Sequence, residues 1–130
     1  MDRNVETVNP QTEIMALYQQ WLAAVRKKDV NAIVACYTDD VLAFDAIMAL
    51  QFKGKQAYRD HWQQCMDFCP AGDKEMIFEL HQLNVQAHGD TAYSHALTRC
   101  GFKEGEKIDA SWMRMSSGLR RENGQWKIAH

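Results

Sequence analysis

Asp39-Asp40-Val41-Leu42-Ala43-Phe44-Asp45 joins a helical half of this chain to a β half. The two leading aspartates break the helix before them, the apolar run after them reads as a strand, and a carboxylate closes it. An acid at the end of an apolar strand costs free energy unless a partner or a reaction uses it. Asp45 is therefore the first candidate functional residue. The plainer reading is a turn aspartate bonded to nearby backbone N–H groups. Parity along the strand does not separate the two, since Leu42 and Phe44 are as apolar as Val41 and Ala43.

Upstream, Asn9-Pro10 supplies an N-cap and a first-turn proline. Ile14, Leu17, Tyr18, Trp21, Leu22 and Val25 follow at helical spacing and make one apolar face. Lys27 and Lys28 suit its C-terminal end. Asp29 caps a short second helix expected to run through Tyr37. Downstream, Met48 to Lys53 is the expected partner of the Val41–Asp45 strand. Gly54 separates that hairpin from a third helix, Lys55 to Phe68, which Pro70-Ala71-Gly72-Asp73 ends. The remainder is β: 74–88, the turn Gly89-Asp90, 91–102, a loop at 103–107, 108–120, the hairpin signal Asn123-Gly124, and 125–130. Segregated helices and antiparallel strands define an α+β class. The economical packing is a cone-shaped, strongly curved antiparallel sheet wrapped around the helices, with a tapered cavity at its open end. Residues 1–130 are expected to be a single domain, with 1–9 flexible.

Composition narrows the function classes. The chain has 130 residues, 46% hydrophobic and 25% charged, with a net charge of −2, as an ordinary globular domain does. Arg26-Lys27-Lys28 and Arg120-Arg121 are its basic clusters, too small for a nucleic-acid footprint. No apolar run reaches the roughly 18 residues of a membrane span, and residues 1–10 lack the apolar core of a signal peptide. No membrane or nucleic-acid partner and a cytoplasmic location are the expectation. Cys65-x-x-x-Cys69 has no second ligand pair, and the five histidines include no H-x-H or H-x-x-x-H pair. Neither a metal nor a cofactor is expected. Ser-His-Asp, phosphate-loop and dinucleotide motifs are also absent.

The order of elements, with Trp21-Leu22-Ala23-Ala24-Val25, Lys28-Asp29-Val30-Asn31-Ala32-Ile33, Tyr37-Thr38-Asp39-Asp40-Val41, Phe44-Asp45, Gly54-Lys55-Gln56-Ala57, Gly89-Asp90-Thr91-Ala92 and Asn123-Gly124-Gln125-Trp126-Lys127-Ile128, resembles the nuclear transport factor 2-like superfamily. The branch it is most similar to is that of ketosteroid isomerase-like and SnoaL-like proteins. The resemblance covers about residues 12 to 130 and implies the cystatin-like α+β barrel of that superfamily. It places the general-base aspartate of ketosteroid isomerase at Asp45. The phenol donor of the first helix falls at Trp21, and the second donor falls near Ser117. Neither oxyanion donor is kept in kind, which speaks against steroid isomerisation.

The resemblance also implies that Tyr93, His95, Leu97 and Arg99 face the cavity, giving it a histidine and a guanidinium suited to a polar or anionic ligand. The other set of that strand, Ala92, Ser94, Ala96, Thr98 and Cys100, is small, and period two alone leaves the choice of face open. If Asn123-Gly124 is a two-residue turn, Leu119 pairs with Ile128 and Ser117 with His130; a one-residue bulge would exchange the faces. The expectation is a small-molecule pocket protein, acid–base in chemistry if it is an enzyme. Asp45 would be the base and His95 a charge stabiliser, with Trp21, Tyr18, Met48, Phe52, His61, Tyr93, Arg99, Ser117 and His130 around the ligand. The large side chains on both faces of the late strands imply a homodimer through the outer sheet face. The rival reading is a non-enzymatic association module.

Overall fold

The computed structural model describes residues 9–69 and 74–130. The expectations for residues 1–8 and for Pro70-Ala71-Gly72-Asp73 lie outside them. Helix α1 spans Pro10–Arg26, and its N-cap Asn9 accepts the Gln11 N–H at 2.8 Å. Its predicted apolar face is the buried one: Ile14, Tyr18, Trp21 and Val25 are each at most 4% exposed. Helix α2, Val30–Val34, is capped by Asp29 but ends three residues before Tyr37. The chain leaves the helix there to pair with its own C-terminal strand, with Ile128 N–H donating to the Cys36 carbonyl at 2.8 Å and Thr38 N–H to the Ile128 carbonyl at 2.9 Å.

The predicted hairpin contracts to β1, Leu42–Ala43, and β2, Phe52–Lys53. Between them residues 44–51 form a loop rather than strand, with Met48 at φ +70° and Phe44, Ile47, Met48 and Leu50 more than half exposed. Gly54 follows at φ +91°, and its N–H donates to the Val41 carbonyl at 2.7 Å. Only glycine adopts that backbone without strain, so the entry angle of helix α3, Lys55–Asp67, depends on it.

Three long antiparallel strands and a short fourth complete the fold in simple meander order: β3, Glu75–His88; β4, Thr91–Glu104; β5, Lys107–Glu122; and β6, Gln125–Ile128. The sheet is curved and is not closed. A register irregularity between His81 and Asn84, with Gln82 at φ +55°, bends β3. Asn123 and Gly124 both have positive φ, and the two-residue turn pairs Leu119 with Ile128 as predicted. Beyond Ile128 the ladder bulges. Ala129 and His130 N–H groups both reach the Gly118 carbonyl, at 2.8 and 3.1 Å, so the Ser117–His130 pair does not form.

Strand β4 turns the opposite way to the expectation drawn for it. Ser94, Ala96 and Thr98 are buried, whereas Tyr93 is 58% exposed. The reason is steric. Helix α1 lies against this face, and the Tyr18 hydroxyl meets Ser94 Oγ at 2.6 Å. Large side chains there would hold the helix off the sheet, so the small set turns inward. Among the described residues no helix is long and apolar enough to cross a membrane.

At Gly101 the neighbouring strand leaves no room for a side chain. A Cβ added there would collide with the Asp109 carbonyl oxygen and the Ala110 Cα across the β4–β5 ladder. Gly101→Ala should therefore destabilise the protein by about 1–3 kcal/mol, read as a lower denaturant midpoint at unchanged slope.

Candidate functional site

Helix α3 and the β1–β2 loop frame a cavity of about 530 Å³ beside α1 and the inner face of β3–β5. Its walls are apolar and rich in sulfur. Trp21 comes from α1, Trp62, Cys65 and Met66 from α3, Met76 and Phe78 from β3, Cys100 from β4, and Met113 and Met115 from β5. Trp21 is the hub of the aromatic wall, packing edge-on against Tyr18, Trp62 and Phe78 at centroid distances of 6.3, 6.1 and 5.5 Å.

Asp45 stands in this wall with its side chain 32% exposed. Three donors converge on it. His61 Nε2 lies 3.1 Å from Oδ2, the Tyr58 hydroxyl donates to the same oxygen at 3.3 Å, and the Ala46 N–H donates to Oδ1 at 2.7 Å. Tyr58 and His61 are three residues apart on α3 and therefore share a face. Phe52 stacks on the His61 ring at 4.1 Å and holds its plane. A carboxylate only accepts hydrogen bonds, so His61 carries its proton on Nε2 toward Asp45. His61 is 3% exposed and its Nδ1 has no partner.

Burial pushes the Tyr58 hydroxyl far above the ordinary tyrosine range, and Tyr37 and Asp45 beside it push the same way. Burial likewise raises Tyr37, against the pull of its hydrogen bond with Trp21. Both remain proton donors at neutral pH. Cys65 Sγ lies 3.7 Å from His61 Nε2, the nitrogen that already faces Asp45. A thiol–imidazole–carboxylate triad needs the two partners on different ring nitrogens, so this arrangement is not one. Burial, with Asp45 adding to it, also pushes the Cys65 thiol up, away from the nucleophilic thiolate. Among the described residues no group of three or more histidine, cysteine or acidic side chains is arranged to hold a metal ion.

The other candidate residues divide plainly. Asp45, His61 and Trp21 meet at the cavity, with Phe52 behind His61. Tyr18 sits one layer behind Trp21, bonded to Ser94 with Ser117 beside it, inside the core rather than in the cavity wall. Met48 is 56% exposed on the loop. Tyr93, His95 and Arg99 are on the outer face, a correction that follows from the reversal of β4, and Arg99 lies 3.9 Å from Glu79 there. His130 is outside the cavity as well, its Nδ1 2.7 Å from the Leu42 carbonyl and its ring against Phe44. Tyr58 and Tyr37 were not among the sequence candidates. The spacing Tyr58-x-x-His61 is the signal that could have found the first, whereas nothing local marks the second.

Residues 14–130 match the family model described as the SnoaL-like domain. Among solved structures, an NTF2-like protein of unknown function from Pseudomonas putida KT2440 is 46% identical, with a TM-score of 0.83 over 95% of this chain and 86% of that one. A ketosteroid isomerase-like protein from Erwinia carotovora atroseptica SCRI1043 is 20% identical, with a TM-score of 0.72 over 94% of this chain and 93% of that one. A putative dehydratase of the NTF2-like family from Streptomyces avermitilis is 15% identical, with a TM-score of 0.76 over 93% and 94% of the two chains. The latter two share the fold with this chain and argue nothing more. None of the curated proteins matches the sequence.

The three buried phenols give the protein an alkaline signature. Tyr18, Tyr37 and Tyr58 all titrate above the ordinary value of 10.0. As pH rises through that value the unfolded chain releases these protons while the native chain keeps them, so stability is full below it and falls above it. Absorbance at 295 nm should show these phenols ionising only together with alkaline unfolding.

Proposed function

The chain belongs to the SnoaL-like domain family, and from that premise we propose that it binds a small polar organic molecule and performs acid–base chemistry on it, with Asp45 as the base. The observation that carries this reading is a carboxylate held by three donors at the wall of an otherwise apolar cavity. Such walls exclude water and strengthen every charge interaction inside them. A base needs a fixed position within reach of the proton it takes, and the His61 and Ala46 contacts supply that fixity. His95 drops out as a charge stabiliser, because the sheet stands between it and the cavity. Trp21 remains a wall residue whose N–H is already spent on Tyr37.

Proton abstraction is measurable without knowing the natural substrate. Deuterium wash-in to a panel of ketones and 1,3-dicarbonyl compounds in D₂O, followed by proton NMR, reports it. Asp45→Asn should lower the wash-in rate by about 10²- to 10⁴-fold with the fold retained. Undiminished exchange in that variant would remove Asp45 from the chemistry.

A second reading concerns assembly. Tyr93 and Trp112 are each more than half exposed on the outer face of the sheet, with Leu97 between them. Removing such a stripe from water favours association. On this reading two copies pair through the outer face, and the domain would serve as an association module even with no chemistry. Analytical ultracentrifugation at micromolar concentration should give the mass of two chains, and Trp112→Arg should return it to one. A single-chain mass for the unaltered protein would end this reading.

A further inference from the structure

The Asp45 carboxylate has hydrogen-bond donors around it but no cation. The donors are the Ala46 N–H, the Tyr58 hydroxyl and His61 Nε2. His61 Nδ1 is buried with no partner to take a second hydrogen, so the ring brings Asp45 a hydrogen bond rather than a positive charge. Among the described residues only His61 pairs with Asp45 within 4.0 Å. Arg114 is the other charged residue of the cavity lining. It stands between Met113 and Met115 on β5, opposite Leu97 of the outer set of β4, so alternation turns its side chain to the outer face. The charge that faces the cavity is therefore negative.

The rest of the wall suits a guest of the opposite sign. Trp21 meets Trp62 at 82° and Phe78 at 73°, and Tyr58 meets Trp62 at 61°. All four rings line the cavity. Rings at such angles enclose a space from several sides instead of stacking flat. An aromatic face carries partial negative charge, so it attracts a cation without forming an ion pair. The volume of about 530 Å³ fits a small molecule. The apolar walls also select among cations. A bare ammonium is compact and strongly hydrated, and it loses that water on entry. An alkylated or charge-delocalised nitrogen loses little water and gains apolar contact.

We infer that the cavity takes a small organic cation, an alkylated or charge-delocalised nitrogen with an apolar body, held between the Asp45 carboxylate and the rings of Trp21, Tyr58, Trp62 and Phe78. This names the ligand class of the cavity already read as the binding site, and it rests on that reading. It also suits a base at Asp45. When a proton moves from carbon to the carboxylate, a positive nitrogen beside that carbon stabilises the electron pair left behind.

The test uses two probes of the same shape, phenyltrimethylammonium and tert-butylbenzene, which differ by one positive charge. Each is titrated into the full chain and followed by tryptophan fluorescence and by the indole N–H signals in NMR. The cation should bind about tenfold tighter or more than its neutral counterpart. The Trp21 and Trp62 signals should shift with it, and that of Trp112 on the outer face should not. Asp45→Asn should remove most of the preference and leave the affinity for tert-butylbenzene unchanged. Equal affinities in the unaltered protein, shifts at Trp112 instead, or no binding of the cation at millimolar concentration overturn the inference. So does a preference that survives in a folded Asp45→Asn protein. The comparison of the two probes needs no variant and decides the matter even where Asp45→Asn does not fold. Wash-in that depends on Asp45, together with equal affinities, ends the cation site and leaves the base. A cation preference lost in Asp45→Asn, with wash-in retained, ends the base and leaves the cation site.

Discussion

The rest of this structure depends on how closely α1 approaches the sheet. The buried helix face is large, Ile14, Tyr18, Trp21 and Val25, the buried face of β4 is small, Ser94, Ala96 and Thr98, and the two meet at Tyr18 and Ser94. Burying each large apolar side chain is worth about 1.5–3 kcal/mol, and that gain requires small residues opposite. The Tyr18–Ser94 hydrogen bond adds a directional element inside the contact. It leaves neither hydroxyl orphaned, which would cost about 1–3 kcal/mol. Once α1 lies there, the inner and outer faces of every later strand are decided by the ladder.

The cavity follows from the same contact. The helix covers only part of the curved sheet, and α3 stands off from the remainder, held at its start by Gly54. The uncovered part of the inner face is lined by methionine, cysteine and aromatic side chains, which are soft and polarisable. Asp45 comes to this space because β1 is only two residues long. A longer hairpin would have carried the aspartate into a ladder. As built, it stands where the strand gives way to loop, and its two oxygens are claimed separately, one by the loop backbone and one by α3.

Polar atoms near the cavity divide into those with a use and those without. His61 Nε2 and the Tyr58 hydroxyl converge on a single carboxylate oxygen, while Tyr37 accepts the Trp21 N–H behind them. Cys65 competes for a nitrogen already engaged, and burial keeps its thiol protonated. The chemistry this supports is movement of a proton to and from a fixed oxygen, rather than attack by a thiolate.

Much of the fold was legible in the sequence, because it is local. The apolar stripe of α1, the caps at Asn9 and Asp29, the turns at Gly89-Asp90 and Asn123-Gly124, and the meander order each follow from short-range spacing and backbone preference. The candidate site was legible only where one residue stood out from its neighbours, as Asp45 does at the end of an apolar run. The faces of β4 were not, since alternation defines two sets and says nothing about which one a helix will cover. That depended on side-chain volume across a contact between residues 76 positions apart. Tyr37 was not legible either, because its partners, the Trp21 N–H and the Tyr58 ring, come from two other helices. By itself the sequence determined the elements, their order and the acid at the end of β1. The tertiary structure alone decided which face is inside and which hydroxyl reaches that acid, because both depend on distances that no local pattern encodes.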